Sequence, residues 1–278
     1  MTDAPQIRRP RGRPRSTGPG QPSGSVQSLD RALALLKLVA ASDGIGLTDL
    51  SQRAGIAPST AHRLLTTLQA HGFVDYREAQ GHWLIGVEAF RAGSAFVRRT
   101  KVADMGRAVM RRLMESCGET VNLAIEQDGD VVFISQVETH EPIRAFFRPG
   151  TRGPAHASGI GKALLAEHTD ETVRRLLQRK GLPGFTPKTI VEPERLFGEL
   201  AEIRRRGWSL DDEERNLGMR CVAAAIYNEF GEAIAGVSIS GPVVRLSDER
   251  VGELGPRVKR AAAEITESIG GTLPERTA

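Results

Sequence analysis

Between Thr48 and Leu68 the chain carries two short runs of helical spacing, broken by Gly55-Ile56-Ala57 and restarted by Pro58. Thr48 reads as an N-cap, Leu50 and Ala54 follow, and Gly55 is a stop signal. Pro58-Ser59-Thr60 opens the next helix, because proline in the first turn gives up no hydrogen bond, and Ala61, Leu64, Leu65 and Leu68 share its apolar face. A preceding helix from the cap Ser28 to Ala41 presents Leu29, Ala32, Leu33 and Leu36 at the same spacing. The small Ala54-Gly55 pair is expected to let the two later helices cross closely, which gives a helix-turn-helix. After Gly72, the alternating segment 73–77, a turn at 78–81 and the return 82–85 predict a hairpin wing.

On the helix after Pro58, the residues away from the apolar face are Ser59, Thr60, His62, Arg63 and Thr66, all able to hydrogen-bond. Any polar helix face is solvated; here turn, wing and charge coincide, and the set fits a recognition helix in a major groove. Arg77, Gln80 and His82 on the wing are expected at the phosphate backbone. Residues 1–24 hold five arginines against one aspartate, which accounts for the whole net charge of +4. Rich in Arg, Pro, Gly and Ser, this segment reads as a disordered basic arm. Its Pro10-Arg11-Gly12-Arg13-Pro14 resembles an AT-hook, with Arg11 and Arg13 placed for a narrow minor groove; a plain cationic tail is the other reading.

With 278 residues, a second domain is expected. Residues 87–116 read as a connector helix followed by the first helix of that domain. Strands are predicted at 120–125, 131–137 and 143–147, helices at 161–167, 171–180 and 192–206, strands at 219–227 and 233–240, and a closing helix at 248–269. Short turns such as Asp128-Gly129 and helices gathered in blocks argue an α+β fold with a mainly antiparallel sheet. The expected division is a basic arm (1–24), a winged helix-turn-helix (25–86), a connector helix (87–101), a second domain (102–270) and a frayed tail (271–278).

Within the second domain, Ser158-Gly159-Ile160-Gly161-Lys162 stands at a helix start, where unpaired backbone N–H groups attract an anion. Glycines that only allow close packing are the competing reading. A phosphate loop fails, since Ala163 stands where Ser or Thr must follow the lysine. Ser238 and Ser240 lie two apart on a strand and share a face, with Cys221 on the strand before. Arg220 is expected to point to the opposite face from Cys221.

The blocks Ser25 to Ala32, Ala54 to His71, Ser158 to Ala166 and Gly218 to Gly241 resemble the IclR-type bacterial transcriptional regulators, over about Ser25 to Ile269. The resemblance implies a winged DNA-binding domain, a connector used in dimerisation, a GAF-like effector domain, and homodimers that pair into dimers of dimers. Residue by residue, it places Gly159, Ile160, Asp211, Cys221, Ser238 and Ser240 in an effector pocket. Short donors suit a small carboxylate, and the match is closest to members that sense glyoxylate or related short 2-oxo acids; larger or aromatic acids remain the alternative. The partners implied are a double-stranded DNA operator and that effector.

An enzyme is the competing class. A nucleophile elbow needs glycine two residues after Ser238, where Ser240 sits. The six histidines form no metalloprotease pair, and Cys117 and Cys221 have neither zinc nor redox spacing, so no metal, cofactor or catalytic residue is expected. The run Asp211-Asp212-Glu213-Glu214 reads as a solvated turn apart from Asp211. No apolar stretch is long enough for a membrane span or a signal peptide, and the expected location is cytoplasmic.

Overall fold

The computed structural model describes residues 26–99 and 101–274, so the arm with Arg11 and Arg13 lies outside the described residues. The chain divides into two compact units near residue 95.

In the first unit, α1 (Gln27–Ala40) leads through β1 (Ile45–Gly46) to α2 (Leu47–Ala54) and α3 (Pro58–Ala70), then to β2 (Val74–Arg77) and β3 (His82–Ile85). Leu35, Val39, Leu50, Ala61, Leu65, Val74 and Trp83 form its core, where the helical apolar stripes meet the hairpin. The three strands pair antiparallel in the order β1-β3-β2. Two expected caps are corrected. Helix α1 begins at Gln27 behind an uncapped Val26, with Ser28 already inside it. Helix α2 begins at Leu47, because Gly46 pairs with His82 in the sheet and the chain passes from strand into helix without a side-chain cap. Gly55 is also corrected: a Cβ there meets nothing within 4 Å, and its φ of +62° shows that the turn needs a left-handed residue rather than a close crossing.

Helix α4 (Val87–Arg99) precedes α5 (Lys101–Cys117). The second unit then runs β4 (Thr120–Gln127), β5 (Asp130–Val137), β6 (Arg152–Pro154), a 3-10 turn at 155–157, α6 (Gly159–Leu165), α7 (Asp170–Lys180), α8 (Pro193–Arg206), β7 (Ser209–Asp212), β8 (Met219–Tyr227), β9 (Ala233–Pro242) and α9 (Asp248–Ser268). The sheet is antiparallel in the order β6-β5-β4-β9-β8-β7. Because strand side chains alternate, Val222, Ala224, Ile226, Val237 and Ile239 face α5 and α9, while Ala223, Ala225 and Tyr227 face α6, α7 and α8. Helices thus cover both sheet faces.

Two expectations fail here. Residues 143–147 are not a strand: although Ile143, Ala145 and Phe147 alternate, the partner offered by β5 is taken by 150–154. Phe133 N–H bonds the Thr151 carbonyl at 3.0 Å, and Val132 pairs with Arg152. Strand β7 was not expected, since Asp has low strand propensity; at this sheet edge Asp212 is held by Arg220 and Lys188, and Asp211 accepts from Glu214 N.

Candidate functional site

Two surfaces carry the expected residues. On α3, Ala61 and Leu65 are buried, which fixes the helix rotation so that Ser59, His62, Arg63 and Thr66 are exposed and Thr60 half-buried. The His62 ring stands edge-on to Trp83 of the wing at 6.4 Å between centroids, tying helix and hairpin together. Thr66 donates its hydroxyl to the His62 carbonyl at 2.9 Å, so only its acceptor capacity faces outward. Arg63 is exposed and has no salt bridge among the described residues. Arg77, Gln80 and His82 are exposed at the hairpin.

In the second unit, a cavity of about 220 Å³ opens where α6 approaches the sheet. Ser158, Ile160, Asp211, Cys221, Ser238 and Ser240 line it; Gly159 does not, but is buried beside it with its carbonyl accepting from Ser209 Oγ at 2.6 Å. The sheet brings the rest together: Asp211 pairs with Cys221, and Cys221 with Ser240. Glycine lets α6 come this close: a Cβ on Gly159 would sit 3.0 Å from Cys221 Sγ and 3.1 Å from its carbonyl oxygen on the sheet, and one on Gly161 would sit 2.1 Å from the Ala155 carbonyl oxygen of the preceding turn. Packing and an open helix end therefore coexist. Ser158 caps α6 by accepting from Gly161 N at 3.4 Å, and helix geometry leaves the amides of Gly159 and Ile160 without intrahelical partners.

The polar groups form a chain. Gln136 donates to Asn122 Oδ1 at 2.7 Å, Asn122 Nδ2 donates to Ser240 Oγ at 3.1 Å, and Ser240 Oγ donates to Cys221 Sγ at 3.0 Å. Ser238 Oγ lies 3.4 Å from Ser240 Oγ and lines the same cavity. Burial, then the Asp211 charge, push the Cys221 thiol up to about 11, so it stays protonated and is no nucleophile at neutral pH. Burial, then the Glu214 charge, raise the Asp211 carboxyl to about 7, while Lys162 opposes them.

The carboxylate run is thus no solvated turn. Asp211 Oδ1 accepts from Glu214 N at 2.8 Å, Asp212 and Glu213 bind Lys188, and Glu214 is buried against Lys162. That pairing also removes Lys162 from any phosphate-binding role. Arg220 also lines the cavity, with its guanidinium held by Asp212, the Leu246 carbonyl and Asp248. Sequence reading missed Asn122, Lys162, Glu214 and Arg215. A usable signal existed for Asn122, whose polar side chain alternates with buried Val121 and Leu123. The cavity's other end, which holds Phe133 and Phe147 stacked at 4.5 Å, was not foreseen either.

Two family models match the chain: the IclR helix-turn-helix domain over residues 28–78 and the bacterial transcriptional regulator IclR C-terminal domain over 94–267. The HTH-type transcriptional regulator BhcR of Paracoccus denitrificans is 49% identical, over 94% of each chain. The transcriptional repressor IclR of Escherichia coli is 46% identical, over 94% of this chain and 96% of its own. Among solved structures, an IclR homolog from Microbacterium hydrocarbonoxydans complexed with 4-hydroxybenzoate superposes with a TM-score of 0.75 at 26% identity, covering 87% of this chain and 98% of that one.

Proposed function

The chain belongs to the IclR family of bacterial transcriptional regulators, and from that premise we propose that its operator binding is controlled by a small carboxylate, glyoxylate or another short 2-oxo acid. It is a DNA-binding regulator, not an enzyme. The observation that carries the effector reading is the cavity between α6 and the sheet, where the Ile160 amide, Ser238 and the neutral Cys221 thiol offer short donors, Ser240 orients that thiol, and Asp211 offers an acceptor. Such a set fits a carboxylate beside a carbonyl hydrate. No helix among the described residues is long and apolar enough to cross a membrane.

On DNA, we assign Ser59, Thr60, His62, Arg63 and Thr66 to the major groove and Arg77 to a phosphate, with Arg11 and Arg13 of the arm in the minor groove or along the backbone. A homodimer, paired into a dimer of dimers, supplies the second recognition helix, and the exposed Val87 and Phe90 of α4 are the surface assigned to it. Arg63→Ala is expected to cost roughly 1 to 3 kcal/mol in operator binding and to leave ligand binding intact. Electrophoretic shift and calorimetry on one preparation separate these; unchanged operator affinity removes Arg63 from the contact set.

Ser238→Ala is expected to raise the glyoxylate dissociation constant by about one to two orders of magnitude, since a hydrogen bond to a charged group is worth about 1.5 to 3 kcal/mol. Ser240→Ala acts less strongly, because its hydroxyl proton already goes to Cys221. Calorimetry giving both variants wild-type affinity places the ligand elsewhere. A second reading, a larger aromatic acid, is favoured by the stacked Phe133 and Phe147 and by the 4-hydroxybenzoate of the Microbacterium relative. Preference for 4-hydroxybenzoate over glyoxylate in the same titration selects it.

A further inference from the structure

We infer that Arg215 is the counter-ion of the bound acid, the group that makes this cavity select an anion over an uncharged molecule of the same shape. The inference rests on the effector reading above. An acid entering the cavity meets the Asp211 carboxylate, and a like charge at close range disfavours both. The α6 end offers two unpaired amides at most, because Gly161 N is already held by Ser158. A positive charge in the wall offsets that repulsion, and the cavity wall contains three arginines: Arg152, Arg215 and Arg220.

Two of the three are committed. Arg152 reaches Asp130 at 3.4 Å and the Gln127 side chain at 3.2 Å. Arg220 holds Asp212 at 2.6 Å and Asp248 at 2.8 Å. Behind the wall, Lys162 is spent on Glu214. Arg215 has no ion-pair partner among the described residues; its guanidinium lies 3.9 Å above the Phe185 ring, a contact weaker than a desolvated ion pair and easily exchanged for one. It also lines an adjoining cavity of about 270 Å³, so its side chain has open space in which to turn. The loop that carries it is anchored to the acceptor it must balance, through Glu214 N on Asp211 Oδ1. Arginine's planar fork matches a carboxylate in two hydrogen bonds.

The test uses the full chain and calorimetry with two probes, glyoxylate and its uncharged amide, on wild type, Arg215→Met and Arg215→Lys. Arg215→Met is expected to weaken glyoxylate by about tenfold or more and to leave the amide unchanged, while Arg215→Lys restores part of the glyoxylate affinity. Operator binding by all three without ligand shows that each is folded. Equal glyoxylate affinity in wild type and Arg215→Met overturns the counter-ion, as does an equal loss for glyoxylate and amide, which marks a role in shape alone. Binding of neither probe by wild type instead overturns the effector reading, and the inference with it.

Discussion

Lys162→Met is expected to destabilise the sheet unit by about 3 to 5 kcal/mol, the usual consequence of removing one partner from a buried ion pair. The Lys162 side chain is 1% exposed and that of Glu214 6%. One Glu214 oxygen takes the ammonium; the other, Oε2, has no partner among the described residues. Burial already pushes the Glu214 carboxyl up, and Lys162 is the main group holding it down. Without Lys162, Glu214 must either stay charged in a poorly solvated site or take up a proton, and both cost stability. Lys162→Met with Glu214→Leu removes both charges and is expected to recover much of the loss. Urea unfolding of the three proteins measures this; a loss under about 1 kcal/mol for the single variant would mean that water reaches the pair.

Asp211→Asn is expected to stabilise the protein at mildly alkaline pH. The carboxyl is raised to about 7 in the folded chain from an ordinary 3.8, which corresponds to something on the order of 4 kcal/mol. Between those two values the folded state holds a proton that the unfolded state has released, so this group's contribution is fully present below pH 3.8 and is lost as pH rises to about 7. The advantage of Asp211→Asn should therefore grow over that window and level off above it. Burial sets most of the shift, Glu214 adds to it by charge, and Lys162 and the backbone amides of Glu214 and Arg215 oppose it; Cys221, opposite the carboxyl on β8, is protonated. A bound acid adds a negative charge, so wild-type ligand affinity should fall as pH rises above neutrality, and that dependence should flatten in Asp211→Asn. Denaturation and calorimetry as functions of pH read the two effects. Parallel stability profiles for both proteins would place Asp211 in contact with solvent.

What could be read in the sequence follows from the range over which its physics acts. The helix-turn-helix rests on spacings within one or two turns, and the helices around Gly55 appear where the pattern sets them. Strands β8 and β9 were legible as short runs between turn signals: β8 carries the continuous apolar stretch Val222 to Tyr227 of a strand buried on both faces, and β9 alternates Val237 and Ile239 with Ser238 and Ser240. The same alternation misled at Ile143, Ala145 and Phe147, where β5 had already been given another neighbour, a fact that pairing alone decides. Placing Cys221 beside Ser240 needed the register of two neighbouring strands and was within reach. Lys162 and Glu214, 52 residues apart, were not, since each is ordinary in its local context and only the close approach of α6 buries them together. Arg215 was hidden for the same reason: after four acidic residues it reads as surface charge, and its place in the cavity wall depends on how the loop after β7 folds back.

The most direct test of a regulator governed by a small acid is operator affinity of the full chain across a glyoxylate titration, with Ser238→Ala measured alongside. Coupling of about 1 to 3 kcal/mol is typical of such linkage, so the wild-type operator dissociation constant should shift by roughly 5- to 150-fold at saturation. In Ser238→Ala the same shift should appear only at higher glyoxylate. An operator affinity that stays constant while calorimetry shows glyoxylate bound would contradict regulation by this cavity.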